Sequence, residues 1–298
     1  MERFTSIDQL EDALLRASYL PDRGLATALF LALRVRKPLL LEGEAGVGKT
    51  EAAKAIASSL GARLIRLQCY EGLDVAHAVY EWNYTRQLLH IRATEDGGPV
   101  EEDELFGPKF LIRRPLLEAI SAAEPVVLLI DEIDRADDEF EAFLLEMLSD
   151  FQITIPEIGT IRAQQRPVVV LTSNRTRELH DALKRRCLFH WIGHPSCERE
   201  IEIVRLRVPG VPERLAAEAV AFVQGLRRLD LNKPPGVAET VDWAEALSAL
   251  GRRELDAALV ESTLGSVLKY QEDLALVRDE TLTGLLEEAR AVTCGFVE

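Results

Sequence analysis

The segment at residues 43–50 limits the fold of this chain more than any other part of its sequence. It reads Gly-Glu-Ala-Gly-Val-Gly-Lys-Thr and fits the pattern GxxxxGK[ST]. The apolar run 38–41 before it is typical of a buried strand, and residues 50–60 after it have a helical pattern closed by Gly61. A glycine-rich turn between a strand and a helix surrounds an anion with backbone N–H groups. The alternative is a turn that fits by chance, and the two flanking elements disfavour it.

This loop predicts a binding site for ATP with Mg²⁺. In loops of this kind the lysine reaches the β- and γ-phosphates, and the hydroxyl that follows it is a ligand of the metal ion. Lys49 and Thr50 take these two roles. The predicted nucleotide-binding residues are Gly43, Glu44, Ala45, Gly46, Val47, Gly48, Lys49 and Thr50.

A second segment with candidate catalytic residues is the apolar run 126–130, which is followed by Asp131 and Glu132. At the end of a strand, Asp131 can hold the metal ion through water, and Glu132 can polarise the attacking water. A strand that ends in Asp-Glu is weak evidence when it stands alone. It gains weight because it follows a phosphate-binding loop.

Two later segments complete the predicted catalytic set. Asn174 follows the apolar run 168–172, where its amide can orient water against the γ-phosphate. Further on, Lys184-Arg185-Arg186 offers a cation that could reach the γ-phosphate of a neighbouring subunit, as an arginine finger in trans. An ordinary cluster of surface charges would have the same sequence, so this alternative stays open.

The order of these elements predicts an α/β fold with a parallel sheet, followed by an all-helical lid domain. Strand-like runs alternate with helical patterns up to residue 195, and helical spacing dominates after it. We therefore predict a nucleotide-binding core with N-terminal helices at residues 1–195 and a helical lid at residues 196–298. Two short apolar segments, within 152–163, predict a β-hairpin inside the core.

Residues 71–107 are the least regular part of the predicted core. We interpret part of this region as an insertion or loop, and the acidic run 101–104 as a solvated loop. Tyr80, Trp82 and Tyr84 alternate as on one face of a strand. This spacing favours packing, with a substrate-gripping surface as the alternative.

The order of the phosphate loop, the Asp-Glu strand end, the asparagine and the arginine, with a helical lid after them, resembles that of AAA+ ATPases. The hairpin at 152–163 resembles the clade with a pre-sensor-1 hairpin, and the chain is most similar to the MoxR family within it. The stretch DEIDRADDEFEAFLLEML at 131–148 resembles that family's Walker B helix. LQCYEGLD at 67–74, YEWNY at 80–84 and SNRTRELHDALKRRC at 173–187 resemble its CoxD-type branch, which accompanies molybdenum–copper carbon monoxide dehydrogenases.

The resemblance covers residues 38–195 closely and the lid loosely. It implies an ATP-hydrolysing chaperone that forms a homo-oligomer, a hexameric ring with ATP sites between subunits. It also implies a helix-2 insertion within about 73–100, a partner with a von Willebrand A domain, and a client metalloenzyme whose active site it matures. Alignment with the family's Asp-Arg-Phe motif, counting ten residues to Pro195, favours Arg185 as the finger, with Arg186 as the alternative.

The chain departs from the family where a sensor-2 arginine begins a lid helix. Residues 234–240 read Pro-Pro-Gly-Val-Ala-Glu-Thr, without an arginine. Arg227 and Arg228 are the two nearby candidates to replace it. The sequence does not choose between them.

Charge and composition limit the choice of partner and compartment. The formal net charge is -15, and neither predicted domain has the basic excess that a phosphate backbone requires, so we expect no nucleic-acid partner. We also expect no membrane insertion, because no apolar run approaches 18 residues. The cysteines form no CxxC pair and the first residues lack a signal-peptide pattern, which favours a cytoplasmic location. A nucleotide-gated assembly scaffold and a DNA-associated motor remain the alternative functions.

Overall fold

The structure, a computed structural model, describes residues 4–94, 102–278 and 280–294. The chain forms two compact units. The first contains residues 1–17, 21–43 and 49–191, and the second contains residues 18–20, 44–48 and 192–298. No helix in the described parts of the chain is long and apolar enough to cross a membrane.

The first unit alternates strands with helices, as the sequence predicts. In chain order its elements are α1 (Ile7–Arg16), α2 (Arg23–Val35), β1 (Leu39–Gly43), α3 (Lys49–Leu60), β2 (Arg63–Gln68), α4 (Val75–Val79), β3 (Tyr80–Trp82), α5 (Tyr84–Thr94), α6 (Glu102–Leu105), β4 (Leu111–Arg113), α7 (Pro115–Ile120), β5 (Val126–Asp131), α8 (Asp138–Asp150), β6 (Gln152–Ile155), β7 (Gly159–Arg162), β8 (Val168–Ser173), α9 (Asp181–Arg186) and β9 (Leu188–Ile192). Short 3₁₀ helices lie at Pro108–Phe110 and Ile133–Arg135.

The core of this unit is a five-stranded parallel sheet with the order β2-β5-β8-β1-β9. All five residues of β1 and all six of β5 are buried, which explains why both strands are apolar almost throughout. In the register between β2 and β5, Gln68 lies beside Asp131, and between β1 and β8, Glu42 lies beside Ser173. The carboxyl ends of four strands therefore meet at one edge of the sheet. The predicted α/β fold is confirmed.

Local sequence signals set several helix boundaries. Asp137 begins α8 by accepting a hydrogen bond from the Phe140 N–H at 2.8 Å, and α3 ends before Gly61, whose φ is 61°. Ser6 caps α1, but the Gln9 side chain accepts from the Thr5 N–H rather than from Ser6. Ser6 and Gln9 therefore form only one half of a reciprocal capping box.

The region at 71–107 is more regular than the sequence indicates. It contains α4, β3, α5 and α6, and β3 pairs with β4 in an antiparallel ribbon. Tyr80 and Trp82 lie on β3 as expected, whereas Tyr84 begins α5, so the prediction of a common strand face is wrong for Tyr84. Part of the acidic run forms α6, where Glu104 contacts Lys109 at 2.7 Å. Residues 95–101, within the predicted insertion and acidic run, lie outside the described residues.

The β-hairpin between α8 and β8 forms as predicted. Its strands β6 and β7 pair in antiparallel register from Gln152 opposite Arg162 to Ile155 opposite Gly159. Gly159 has φ 96°, a conformation that favours glycine. The glycine of the Pro-Glu-Ile-Gly turn thus closes the hairpin.

The second unit is helical beyond the end of β9. Its helices are α10 (Cys197–Arg207), α11 (Glu213–Leu226), α12 (Val237–Ala249), α13 (Ala257–Thr263), α14 (Gln271–Arg278) and α15 (Glu280–Cys294), with a 3₁₀ turn at Leu264–Ser266. Its core contains the fully buried rings of Phe222 and Trp243, whose centroids are 5.6 Å apart. The helical character of this region is as predicted.

A buried ion pair stabilises the second unit. Arg227 donates two hydrogen bonds to the carboxylate of Glu200, at 2.6 and 2.7 Å, and a third to the Pro235 carbonyl at 2.7 Å. Glu200 is fully buried and also accepts from Thr240 at 2.7 Å. By contrast, Arg228 pairs with Glu288 on an exposed surface. Arg227 is therefore committed to the fold of its own unit.

We expect Arg227→Ala to lower the free energy of unfolding of the second unit by about 3–5 kcal/mol, because it leaves the Glu200 charge buried without its partner. Chemical denaturation followed by circular dichroism measures the change. Arg228→Ala is the matched control and should have only the small effect that exposed ion pairs have. Equal effects of the two changes would contradict a structural role for Arg227.

Candidate active site

The candidate site lies where β2, β5 and β8 end. Parallel pairing puts Gln68 beside Asp131, and Asn174 directly follows the last residue of β8. The backbone at Glu132 has φ 56°, so the chain turns sharply after β5 and redirects the glutamate side chain. This arrangement gathers predicted residues from three separate segments of the sequence.

Lys49 is the first residue of α3 and only 6% of its surface is exposed. Its ammonium group donates a hydrogen bond to the Gly43 carbonyl at 2.8 Å, at the end of β1. A lysine ammonium group is rarely buried without an anionic or polar partner. This position, at the N-terminus of a helix and beside a strand end, fits a cation that contacts phosphate.

Asp131 is the best-connected carboxylate in the site, with 2% of its surface exposed. Thr50 Oγ1 lies 3.0 Å from Oδ1 and 3.2 Å from Oδ2, and Thr172 Oγ1 donates to Oδ1 at 2.5 Å. Mg²⁺ prefers oxygen ligands and keeps several of its waters. A hydroxyl next to a carboxylate therefore fits the Mg²⁺ position predicted for Thr50 and Asp131.

The Glu132 carboxylate faces polar groups from two directions. Gln68 Nε2 donates to Oε2 at 3.1 Å, and Asn174 Nδ2 donates to Oε1 at 3.3 Å. Arg135 Nε lies 2.9 Å from Oε2. The structure thus brings Glu132 and Asn174 together, and adds Gln68 to the set.

Three residues of the site are not among those that the sequence predicts. Gln68 and Arg66 come from β2, and Arg66 Nε donates to Asp131 Oδ2 at 2.9 Å. Asp134 is 2% exposed, and it accepts from the backbone N–H groups of Asn174 at 3.2 Å and Thr176 at 2.8 Å. Asp134 therefore holds the backbone that carries the Asn174 amide.

Cys69 lies beside these carboxylates but is not reactive. Burial, together with the nearby charges of Asp131, Asp134 and Glu132, raises the pKa of its thiol to about 12. The thiol is consequently protonated at neutral pH. Nucleophilic thiolate chemistry at Cys69 is excluded at that pH.

The two candidate finger arginines differ in their surroundings. Both lie in α9 and are exposed. Arg186 donates to Ser149 Oγ at 2.8 Å and to the Ala182 carbonyl at 3.2 Å. Within the described part of the chain, the Arg185 side chain makes no hydrogen bond or ion pair. Among the described residues, neither side chain makes a hydrogen bond or ion pair with Glu132 of the same chain.

Loop residues 44–48 belong to the second unit, where they contact the start of α12. The Ala238 N–H donates to the Gly46 carbonyl at 3.0 Å, and the Glu239 carboxylate accepts from the Gly236 N–H at 3.0 Å. A Cβ atom on Gly236 would lie 2.6 Å from the Ala45 carbonyl oxygen and 2.8 Å from the Gly46 Cα. Backbone therefore packs against backbone here, at a distance that only glycine allows.

Comparison with known proteins shows the family. Residues 39–192 match the ATPase family associated with various cellular activities (AAA). The chaperone protein ClpB of Bacillus cereus, like that of Bacillus anthracis, is 30% identical over 179 residues. That alignment covers 57% of this chain and 17% of ClpB, so the chain spans less than a fifth of the length of these relatives. The chain belongs to the AAA family of ATPases.

Solved structures with a similar fold include the Holliday junction branch migration motor RuvB of Thermotoga maritima. It is 18% identical with a TM-score of 0.44, and the match covers 85% of this chain and 68% of RuvB. A mutant of the same RuvB is 19% identical with a TM-score of 0.48, covering 88% of this chain and 72% of that one.

We expect Gly236→Ala to weaken nucleotide binding about tenfold, because the new methyl group displaces the backbone of Ala45 and Gly46 and overpacking costs roughly 1–3 kcal/mol. Gly236 has φ -82°, so alanine adds no backbone strain. Gly284→Ala is the matched control, since a Cβ there has no atom within 4 Å. Titration with a fluorescent ADP analogue measures both, and equal affinities would refute the role of this contact.

Proposed function

We propose that this chain is an AAA+ ATPase of the MoxR type that hydrolyses ATP to ADP and phosphate and uses the energy to remodel a partner protein. The observation that carries this proposal is the cluster at the strand ends. Lys49 donates to the Gly43 carbonyl there, Thr50 lies beside Asp131, and Asn174 lies beside Glu132, a grouping that supports a site for ATP hydrolysis.

Each of these side chains has a chemical role in the proposal. Lys49 supplies the cation over the β- and γ-phosphates, and Thr50 with Asp131 holds the metal ion. When bound, Mg²⁺ neutralises charge that develops on the phosphate oxygens. Glu132 accepts a proton from water that the Asn174 amide orients. For this role the glutamate must be charged, and it must give up at least part of its contacts with Arg135 and Gln68.

The proposal includes a homo-oligomeric ring, because AAA+ proteins commonly form oligomeric rings and neither candidate arginine is hydrogen-bonded to Glu132 among the described residues of its own chain. A hexamer is the state that the MoxR resemblance implies. Arg185 is the favoured finger, since its side chain has no partner among the described residues of this chain. An arginine supplied in trans would make hydrolysis depend on assembly.

The client belongs to the same proposal. The CoxD-type stretches support a metalloenzyme client, a molybdenum hydroxylase such as carbon monoxide dehydrogenase, whose active site the chain helps to mature together with a von Willebrand A domain partner. The ClpB relatives are chaperones by name, which agrees with a remodelling role. The net charge of -15 disfavours the DNA-associated motor.

ATPase turnover with and without candidate partners separates the three functions. A remodelling ATPase should change its turnover when the client or the von Willebrand A partner is added. A scaffold should bind ATP with almost no turnover under any condition. Stimulation by DNA alone would favour the motor and overturn the proposal.

We expect Lys49→Ala to abolish tight ATP binding, because it removes the cation over the phosphates. Glu132→Gln should keep ATP binding and lose hydrolysis, because the amide keeps the shape but cannot accept a proton. A binding titration and a phosphate-release assay on both variants check this pair. Wild-type affinity in Lys49→Ala, or wild-type turnover in Glu132→Gln, would contradict the site assignment.

We expect Arg185→Ala to keep ATP binding but to lower the turnover number by a factor of about 10³–10⁵, which is the factor that an arginine finger contributes. Arg186→Ala is the matched control, and it should change turnover little if Arg185 is the finger.

Mixed rings test the action in trans. When Arg185→Ala and Glu132→Gln subunits are co-assembled, some interfaces pair an intact Glu132 with an intact Arg185, so part of the activity should return. If demonstrably mixed rings stay inactive, or if Arg185→Ala hydrolyses ATP normally alone, Arg185 is not a trans-acting finger.

A further inference from the structure

Arg66 contacts Asp131, the carboxylate that would also hold the metal ion, so its charge would compete with that ion. It is on β2, its side chain is 49% exposed, and its guanidinium contacts the Asp131 carboxylate through Nε at 2.9 Å and Nη2 at 2.5 Å. Both hydrogen bonds end on Oδ2, while Thr172 donates to Oδ1. The carboxylate proposed as a metal ligand is thus already neutralised by a side chain of its own chain.

The same guanidinium group also contacts Gln68. Arg66 Nη2 donates to Gln68 Oε1, and Gln68 Nε2 donates to Glu132 Oε2. An amide has one donor end and one acceptor end, so the acceptor must face Arg66 and the donor must face Glu132. Arg66 therefore sets the orientation of the amide that holds Glu132.

We propose that Arg66 is a positioning residue that joins the metal-binding carboxylate of Asp131 to the water-polarising carboxylate of Glu132, through the Gln68 amide. The proposal rests on the proposed ATPase function. The Arg66 guanidinium contacts Oδ2 of Asp131, and the Gln68 amide holds Glu132. A divalent cation held by Asp131 would repel Arg66, because both carry positive charge. Its binding would then weaken the link that holds Glu132.

This proposal predicts two separable effects. The first is electrostatic: without the Arg66 charge, Mg²⁺ has no competitor at Asp131. The second is geometric: without the planar fork of the guanidinium, the Gln68 amide loses its fixed orientation. Arg66→Gln removes both the charge and the fork. Arg66→Lys keeps the charge and removes the fork.

The experiment titrates MgCl₂ into the full-length chain with a fluorescent, non-hydrolysable ATP analogue. Arg66→Gln should lower the Mg²⁺ concentration at half-saturation about three- to tenfold, in the range expected for a half-exposed charge pair. Arg66→Lys should stay within about twofold of the wild type. Arg63→Gln is the matched control: Arg63 is on the same strand, pairs with Glu118 and Glu124, and should leave the Mg²⁺ dependence unchanged.

Turnover measurements test the geometric effect. Gln68→Ala and Arg66→Lys should change basal turnover by the same factor, and the double variant should not differ from Gln68→Ala, because both changes break one link. Additive effects would overturn the link through Gln68. Mg²⁺ dependence in Arg66→Gln equal to that in Arg63→Gln would overturn the electrostatic competition.

The two proposals fail in different ways. If the wild-type chain binds no ATP analogue at any Mg²⁺ concentration, the proposed function fails. If the wild type binds the analogue with a clear Mg²⁺ dependence and Arg66→Gln matches the Arg63→Gln control, only the role of Arg66 fails. Thermal unfolding without nucleotide identifies a variant that is merely destabilised. If Arg66→Gln is destabilised in this way, the turnover of Arg66→Lys still tests the link through Gln68.

Discussion

The parallel register of β2, β5 and β8 is the constraint on which the rest of the candidate site depends. Backbone hydrogen bonds put residues that are tens of positions apart in the sequence beside each other, such as Gln68 and Asp131. Because these strands run in the same direction, their polar carboxyl ends meet at one edge. A shift in this register would separate Glu132 from Gln68 and Asn174, whatever their individual chemistry.

Within that edge, Asp131 connects the two halves of the site. Its two oxygens accept hydrogen bonds from residues of α3, β2 and β8, and Thr172 also accepts from the Glu132 N–H at 2.9 Å. A buried carboxylate is stable only when donors surround it, and here α3, β2 and β8 supply those donors. The same oxygens are the natural ligands for a hard cation, which explains why a structural hub and a metal position can coincide.

The sequence predicts the sheet well because its strands are buried. Runs such as 126–130 and 168–172 are apolar on both faces, and few other elements have that composition. The phosphate loop is equally visible because glycine, lysine and threonine are needed at fixed positions. These two signals were sufficient to predict Lys49, Thr50, Asp131, Glu132 and Asn174 as neighbours in space.

The remaining parts depend on contacts that no short pattern contains. Arg66 and Gln68 alternate with apolar residues on β2, which is the pattern of an ordinary solvent-exposed strand face, and only the neighbouring strand makes them part of the site. The helix α5 was not predicted because Leu88 and Leu89 are both 61% exposed, so its apolar residues do not follow the buried face of a helix. Asp134 lies in a 3₁₀ turn and acts through backbone N–H groups, which any residue type provides.

The start of α12 contacts the loop at residues 44–48 through backbone atoms. The sequence lacks an arginine at 234–240, and Arg227, the candidate with the better-defined surroundings, is held by Glu200. What the structure has at this point is the pair Gly236 and Gly46, close enough for the Ala238 N–H to donate to the loop carbonyl. An arginine would contact a ligand directly and would respond to its charge. A backbone contact responds instead to the conformation of the loop, since it is made or broken by shifts of a few tenths of an ångström. In this chain the contact at the start of α12 therefore depends on the conformation of residues 44–48, which belong to the same unit.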